Sequence, residues 1–72
     1  MRDVIITREP VELYKILKFE ALVDSGGAAK AAIEQGLVQV NHFVETRKRK
    51  QIVHGDCIAF AGQSLNIVFK AP

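Results

Sequence analysis

Residues 24–50 read DSGGAAKAAIEQGLVQVNHFVETRKRK, and a few residues of special character divide this stretch into a helix, a hairpin and a basic run. Ser25 is placed to cap the helix, because its hydroxyl can accept a bond from an orphan amide of the first turn. Gly36 stands where the helix should end in a left-handed residue, a conformation that glycine adopts without a side-chain clash. Between them, Ala28, Ala29, Ala32 and Ile33 make a thin apolar face suited to close packing on a neighbour. This places a second helix over about 26–35. Residues 37–40 alternate weakly and read as a strand, Asn41 and His42 occupy a tight turn, and residues 43–45 return as the partner strand.

Working outward toward the N-terminus, Val4, Ile5 and Ile6 form a β-branched run that suits a first strand. Pro10 fits the first position of a helix, where its missing amide costs nothing. Leu13, Ile16 and Leu17 follow at helical spacing with Lys15 and Lys18 facing outward, so helix one is predicted over about 10–19. Leu22 and Val23 are expected to plug the core from the short connection before Ser25. Toward the C-terminus, the Arg47–Lys50 run is placed on a loop and residues 54–56 in a turn. Residues 57–60 and 65–69 read as two strands joined around Gly62. Phe43 and Cys57 are assigned to the core. No repeat, linker or low-complexity tract interrupts the chain. The fold class is α+β, with two short helices packed on a small, mostly antiparallel β-sheet.

Seventy-two residues allow one domain, 1–72, and one small core. Hydrophobic residues make up 49% and charged ones 25%, which fits a folded globular chain rather than a disordered one. No apolar run approaches the roughly 20 residues of a membrane span, so no membrane partner is expected. Met1 to Thr7 is too short and too acidic for a signal peptide. A single cysteine, Cys57, leaves no internal disulfide framework. These features predict a cytoplasmic protein, and we expect a monomer.

Net charge is only +2, but it is unevenly spread. Residues 1–40 carry five basic and six acidic side chains, whereas residues 41–72 carry five basic and two acidic. Four of those cations, Arg47, Lys48, Arg49 and Lys50, are consecutive, so the implied partner is an anion met on one patch. Their mutual repulsion is relieved when phosphates neutralise them and release counterions. The opening of helix two is a second candidate. It exposes unpaired amides and a partial positive charge, Gly26 and Gly27 allow close approach to the backbone, and Lys30 lies one turn further in. A metal or catalytic role for His42, His54 and Cys57 is rejected. Two histidines and one cysteine fall short of a structural zinc set, and a cysteine–histidine nucleophile pair needs a cleft this domain can hardly build.

The ordered motifs Ser-Gly-Gly-x-Ala-Lys from Ser25, Ile-x-x-Gly-x-Val-x-Val-Asn from Ile33, Glu-x-Arg-Lys-Arg-Lys from Glu45, and Gly55-Asp56 resemble the S-four RNA-binding domain family. The likeness covers about 11–68 and is greatest to the small free-standing bacterial members. It implies an alpha-L motif and a non-catalytic module without a cofactor. It also implies a partner among structured RNAs, ribosomal or transfer RNA, with ribosomal subunits possible carriers. The residues it places at the RNA are Lys18, Ser25, Gly26, Gly27, Lys30, Asn41, Arg47, Lys48, Arg49 and Lys50. Two arginines common in the family are absent, their places held by Glu12 and Gly26, so contact must lean on the basic loop, Lys18 and Lys30. His42 replaces the usual turn glycine, and histidine is among the residues that tolerate positive φ.

Two readings from other classes are set against this one. A DNA-binding helix-turn-helix is permitted by the two-helix start, but an alanine-rich recognition helix with one lysine has almost nothing to read base edges. A small protein-interaction or sulfur-carrier module is suggested by the terminal strands. Such carriers need a free Gly-Gly tail, and this chain ends Lys70-Ala71-Pro72.

Overall fold

The computed structural model describes the chain from Met1 to Pro72. The elements in order are β1 (Arg2–Ile6), β2 (Val11–Glu12), α1 (Leu13–Phe19), α2 (Gly26–Glu34), β3 (Val38–Val40), β4 (Phe43–Val44), β5 (Gln51–Ile52), β6 (Cys57–Phe60) and β7 (Gln63–Phe69). Five strands form one sheet in the order β1-β7-β6-β3-β4, while β2 and β5 pair separately. All pairs are antiparallel except β1 with β7, where Val4 lies opposite Ile67. The α+β architecture is therefore as expected, with one parallel pair, between the first and last strands of the chain, at one edge of the sheet.

Two turns set the registers. Asn41 and His42 have φ of 53° and 73°, and Ala61 and Gly62 have 52° and 77°. Two consecutive left-handed residues match the right-handed twist of the flanking strands, which is why short hairpins use such turns. Val40 then faces Phe43 and Phe60 faces Gln63. One face of the sheet supplies Val4, Ile6, Val38, Val40, Ile58, Leu65 and Ile67 to the core, against Leu13, Ile16 and Leu17 of α1 and Ala29, Ala32 and Ile33 of α2. Leu22 and Val23 pack onto this core from the helix–helix connection, as expected.

Helix α2 follows the sequence closely. The Ser25 hydroxyl accepts from the Ala28 N–H at 3.1 Å. At the other end Gly36 adopts φ +78°, its N–H donates to the Ile33 carbonyl, and the Leu37 N–H donates to Ala32. This reciprocal pair is a Schellman stop, and it satisfies two carbonyls the helix would otherwise orphan. The buried face is narrower than expected, since Ala28 is exposed.

Helix α1 departs from expectation. It begins at Leu13, not at Pro10, because Val11 and Glu12 pair as a strand with Ile52 and Gln51. Pro10 therefore lies outside the helix. Two further assignments are corrected. Phe43 is 77% exposed, because β4 is an edge strand of the sheet with a neighbour on one side only. Cys57 is only half-buried, at the first position of β6.

Candidate nucleic-acid interface

The basic loop is built from its backbone. The carbonyls of Lys50 and Lys48 accept from the N–H groups of Leu13 and Tyr14 at 2.9 and 3.1 Å, and the Lys50 N–H donates to the Arg47 carbonyl at 3.1 Å. Leu13 and Tyr14 open α1, whose preceding residue Glu12 offers no side-chain cap. The loop thus supplies acceptors for helix donors that otherwise lack partners. Its register is fixed by main-chain bonds, so the charged side chains are free to point outward.

Those side chains are not isolated from acids. Arg47 pairs with Glu45 at 2.9 Å, Lys48 with Glu34 at 3.6 Å and Arg49 with Glu12 at 3.8 Å, while Lys50 has no ion pair. The Lys48–Glu34 and Arg49–Glu12 pairs are long and partly exposed, and such pairs contribute only about 0–1 kcal/mol. Arg47, Arg49, Lys50 and Gln51 line an open groove that contains no hydrophobic residue.

The Glu45–Arg47 pair is different in kind. One carboxylate oxygen accepts from the Arg47 backbone N–H and Nε at 2.9 Å, and the other accepts from Nη2 at 3.0 Å. Hydrogen bonding from Arg47 pulls the Glu45 carboxyl down to about 2, and the same carboxylate raises Arg47 above its ordinary value. The acid is therefore charged across the physiological range.

Tyr14 joins this loop to the opening of α2. Its N–H bonds Lys48, its ring lies beside Gly26 with 4.0 Å between Cε2 and a Cβ built there, and Lys30 Nζ sits 4.7 Å from the ring centroid. A cation over an aromatic face at that distance is attracted by the ring's quadrupole. Lys15 Nζ lies 6.0 Å from the same ring. Helix opening and basic loop thus share one face of the molecule. Sequence reasoning missed Tyr14. The available signal was an aromatic residue in the first turn of α1 with Lys15 and Lys18 after it.

The remaining predicted residues fall in three groups. Ser25 is occupied as the α2 cap, leaving the Gly26 and Gly27 amides as the free donors of that end. Lys18 is exposed near the end of α1 and forms no ion pair. Asn41 is committed internally: its amide donates to Asp56 at 3.0 Å, its side-chain oxygen accepts from the Cys57 N–H at 2.9 Å, and Asp56 also accepts from the Val53 N–H. That network ties the β3–β4 turn to the start of β6. His54 is also structural, its Nδ1 accepting from the Phe69 N–H at 3.0 Å. No three His, Cys, Asp or Glu side chains converge as a metal site would require, and no helix is long and apolar enough to cross a membrane.

Comparison with known proteins agrees with this architecture. Residues 4–68 match the model of the S4 domain. YbcJ of Escherichia coli strain K12 is 50% identical over 58 residues, spanning 81% of this chain and 83% of that protein. YbcJ of Shigella flexneri matches to the same extent. The solution structure of Escherichia coli YbcJ superimposes with a TM-score of 0.72 at 45% identity, covering 94% of this chain and 87% of that one. It is described as revealing an alpha-L motif involved in RNA binding.

Proposed function

The chain belongs to the S4 domain family, and from that premise we propose that it is a non-catalytic RNA-binding module. The observation that carries the reading is the role of Tyr14, which brings the free amides of Gly26 and Gly27, Lys30 and the Arg47–Lys50 loop onto one face. Such a face offers phosphates two kinds of donor: backbone amides at the positive end of a helix and side-chain cations beside it. Lys18 extends the patch along α1. Asn41 contributes indirectly, by holding the hairpin from which the loop springs.

The target in this reading is structured RNA, ribosomal or transfer RNA, recognised by shape and backbone. Folded RNA crowds phosphates at bends and presents 2′-hydroxyls in a shallow groove. The protein acts as a monomer in the cytoplasm, with ribosomal subunits among its carriers. Helix α2 exposes Gly27, Ala28, Ala31 and the acidic Glu34, with Lys30 half-buried, which argues against major-groove readout of DNA. Sequencing the nuclease-sensitive RNA that co-purifies with the protein tests the reading. Enrichment of ribosomal or transfer RNA is expected, and recovery of no RNA above background contradicts it.

A further inference from the structure

We propose that Glu45, an acid within a surface meant for a polyanion, is a positioning residue that presents Arg47 to a single RNA phosphate. The inference rests on the RNA-binding reading and adds to it a residue whose charge has the wrong sign for simple attraction. A guanidinium carries five N–H donors in a planar fork. Glu45 takes Nε–H and one Nη2–H through two carboxylate oxygens, and it also takes the Arg47 backbone N–H. Three donors are left, both on Nη1 and the second on Nη2. These include the end-on pair that fits two phosphate oxygens at once.

The surroundings support this division of labour. The Glu45 side chain is 12% exposed and that of Arg47 is 71% exposed, so the acid is set into the surface while the cation stands out from it. The Glu45 N–H donates to the Val38 carbonyl at 2.9 Å, which continues the hairpin pairing and anchors the acid's own backbone. Arg47 therefore reaches the solvent with its plane already oriented and part of its rotamer freedom already spent. Lys48 and Arg49 lack this preparation, since each meets its acid at a single long distance.

The test is a titration of a fluorescein-labelled RNA stem-loop at one salt concentration, with melting curves for every variant. Field effects and positioning predict opposite signs. If Glu45 acts only through its charge, Glu45→Gln removes repulsion and binding tightens. If it positions Arg47, Glu45→Gln weakens binding about tenfold, the size expected for a charged hydrogen-bonded contact. The loss should vanish in an Arg47→Gln background, where a purely structural defect would persist. Arg47→Lys keeps the charge and loses the fork, so it should weaken binding to a similar degree even if Glu45→Gln fails to fold. Glu34→Gln is the charge control and should bind as tightly as the parent or slightly more so. An Arg47→Lys variant within twofold of the parent, or a folded Glu45→Gln variant that binds as well as the parent, overturns the inference while leaving RNA binding intact. A parent protein that binds no RNA overturns the broader reading and this inference with it.

Discussion

The backbone N–H of Tyr14 donates to the carbonyl of Lys48 at 3.1 Å, so the first turn of α1 and the middle of the basic loop are held as one unit. With Lys30 over the same tyrosine ring at 4.7 Å, three separate segments of the chain converge on one residue. The consequence is that the loop's geometry belongs to its main chain and its chemistry to its side chains. The two can be altered independently.

Replacing Arg47, Lys48, Arg49 and Lys50 together by glutamine should therefore abolish RNA binding and leave the fold. The capping carbonyls survive, and the Lys48–Glu34 and Arg49–Glu12 pairs that are lost are surface contacts worth about 0–1 kcal/mol each. Loss of the closer Arg47–Glu45 pair should lower the melting temperature without removing the cooperative melt. The slope of log affinity against log salt should flatten by roughly 0.7–0.9 for each phosphate contact removed. Unchanged affinity and slope, measured on a variant with a cooperative melt, would show the loop to be a solvated turn.

Gly27→Glu separates binding from stability at the other end of the patch. A Cβ at Gly27 meets only the Ser25 hydroxyl, at 3.8 Å, so there is room for a side chain. Glutamate also suits the positive end of the helix and is a better helix former than glycine, a gain of about 0.5 kcal/mol. The melting temperature should hold or rise while RNA affinity falls, because charge and bulk now stand where a phosphate is expected. Affinity within twofold of the parent would reduce the α2 opening to a plain cap.

His42→Gly should stabilise the protein by about 1 kcal/mol. His42 has φ 73°, a region costly for a residue with a Cβ. Its exposed side chain makes no hydrogen bond that the substitution would remove. Thermal denaturation settles the matter, and a lower melting temperature in the glycine variant would contradict it.

Acid should expose the Glu45–Arg47 pair. The folded carboxyl titrates near 2, below its ordinary 4.5, chiefly because Arg47 hydrogen-bonds to the charged form. A depressed folded value means stability that is fully present above about 4.5 and lost as pH falls through about 2. Glu45→Gln should therefore show a shallower loss of stability between these limits, with the parent's advantage shrinking toward pH 2. Parallel stability curves for parent and variant across that window would deny the pair any share in acid sensitivity.

Legibility followed the range of each interaction. The α2 cap, its glycine stop and the Asn41–His42 turn were readable because Ser25, Gly36 and the turn residues act on their own neighbours in sequence. The early end of α1 was misread because Val11 and Glu12 are claimed by Gln51 and Ile52, a two-residue pairing between distant segments with no periodicity to announce it. Phe43 was misplaced for a related reason, since a strand phenylalanine reads the same at a sheet edge as at its centre. The candidate site divided likewise. The basic run was plain as a string of letters, but its acids come from Glu12 and Glu34 as well as from nearby Glu45. Tyr14 acquires its place only when the loop folds back onto α1.

The central claim is that this face fits folded RNA, and one competition experiment addresses it directly. A labelled RNA stem-loop is displaced by unlabelled stem-loop or by duplex DNA of the same sequence, at a single near-physiological salt concentration. The patch can touch only a few closely set phosphates, and no groove-filling helix with base-reading side chains accompanies it, so duplex DNA is left with weak, non-specific attraction. The stem-loop should compete at least about tenfold better, a difference of roughly 1.4 kcal/mol. Equal competition by duplex DNA would contradict the RNA assignment.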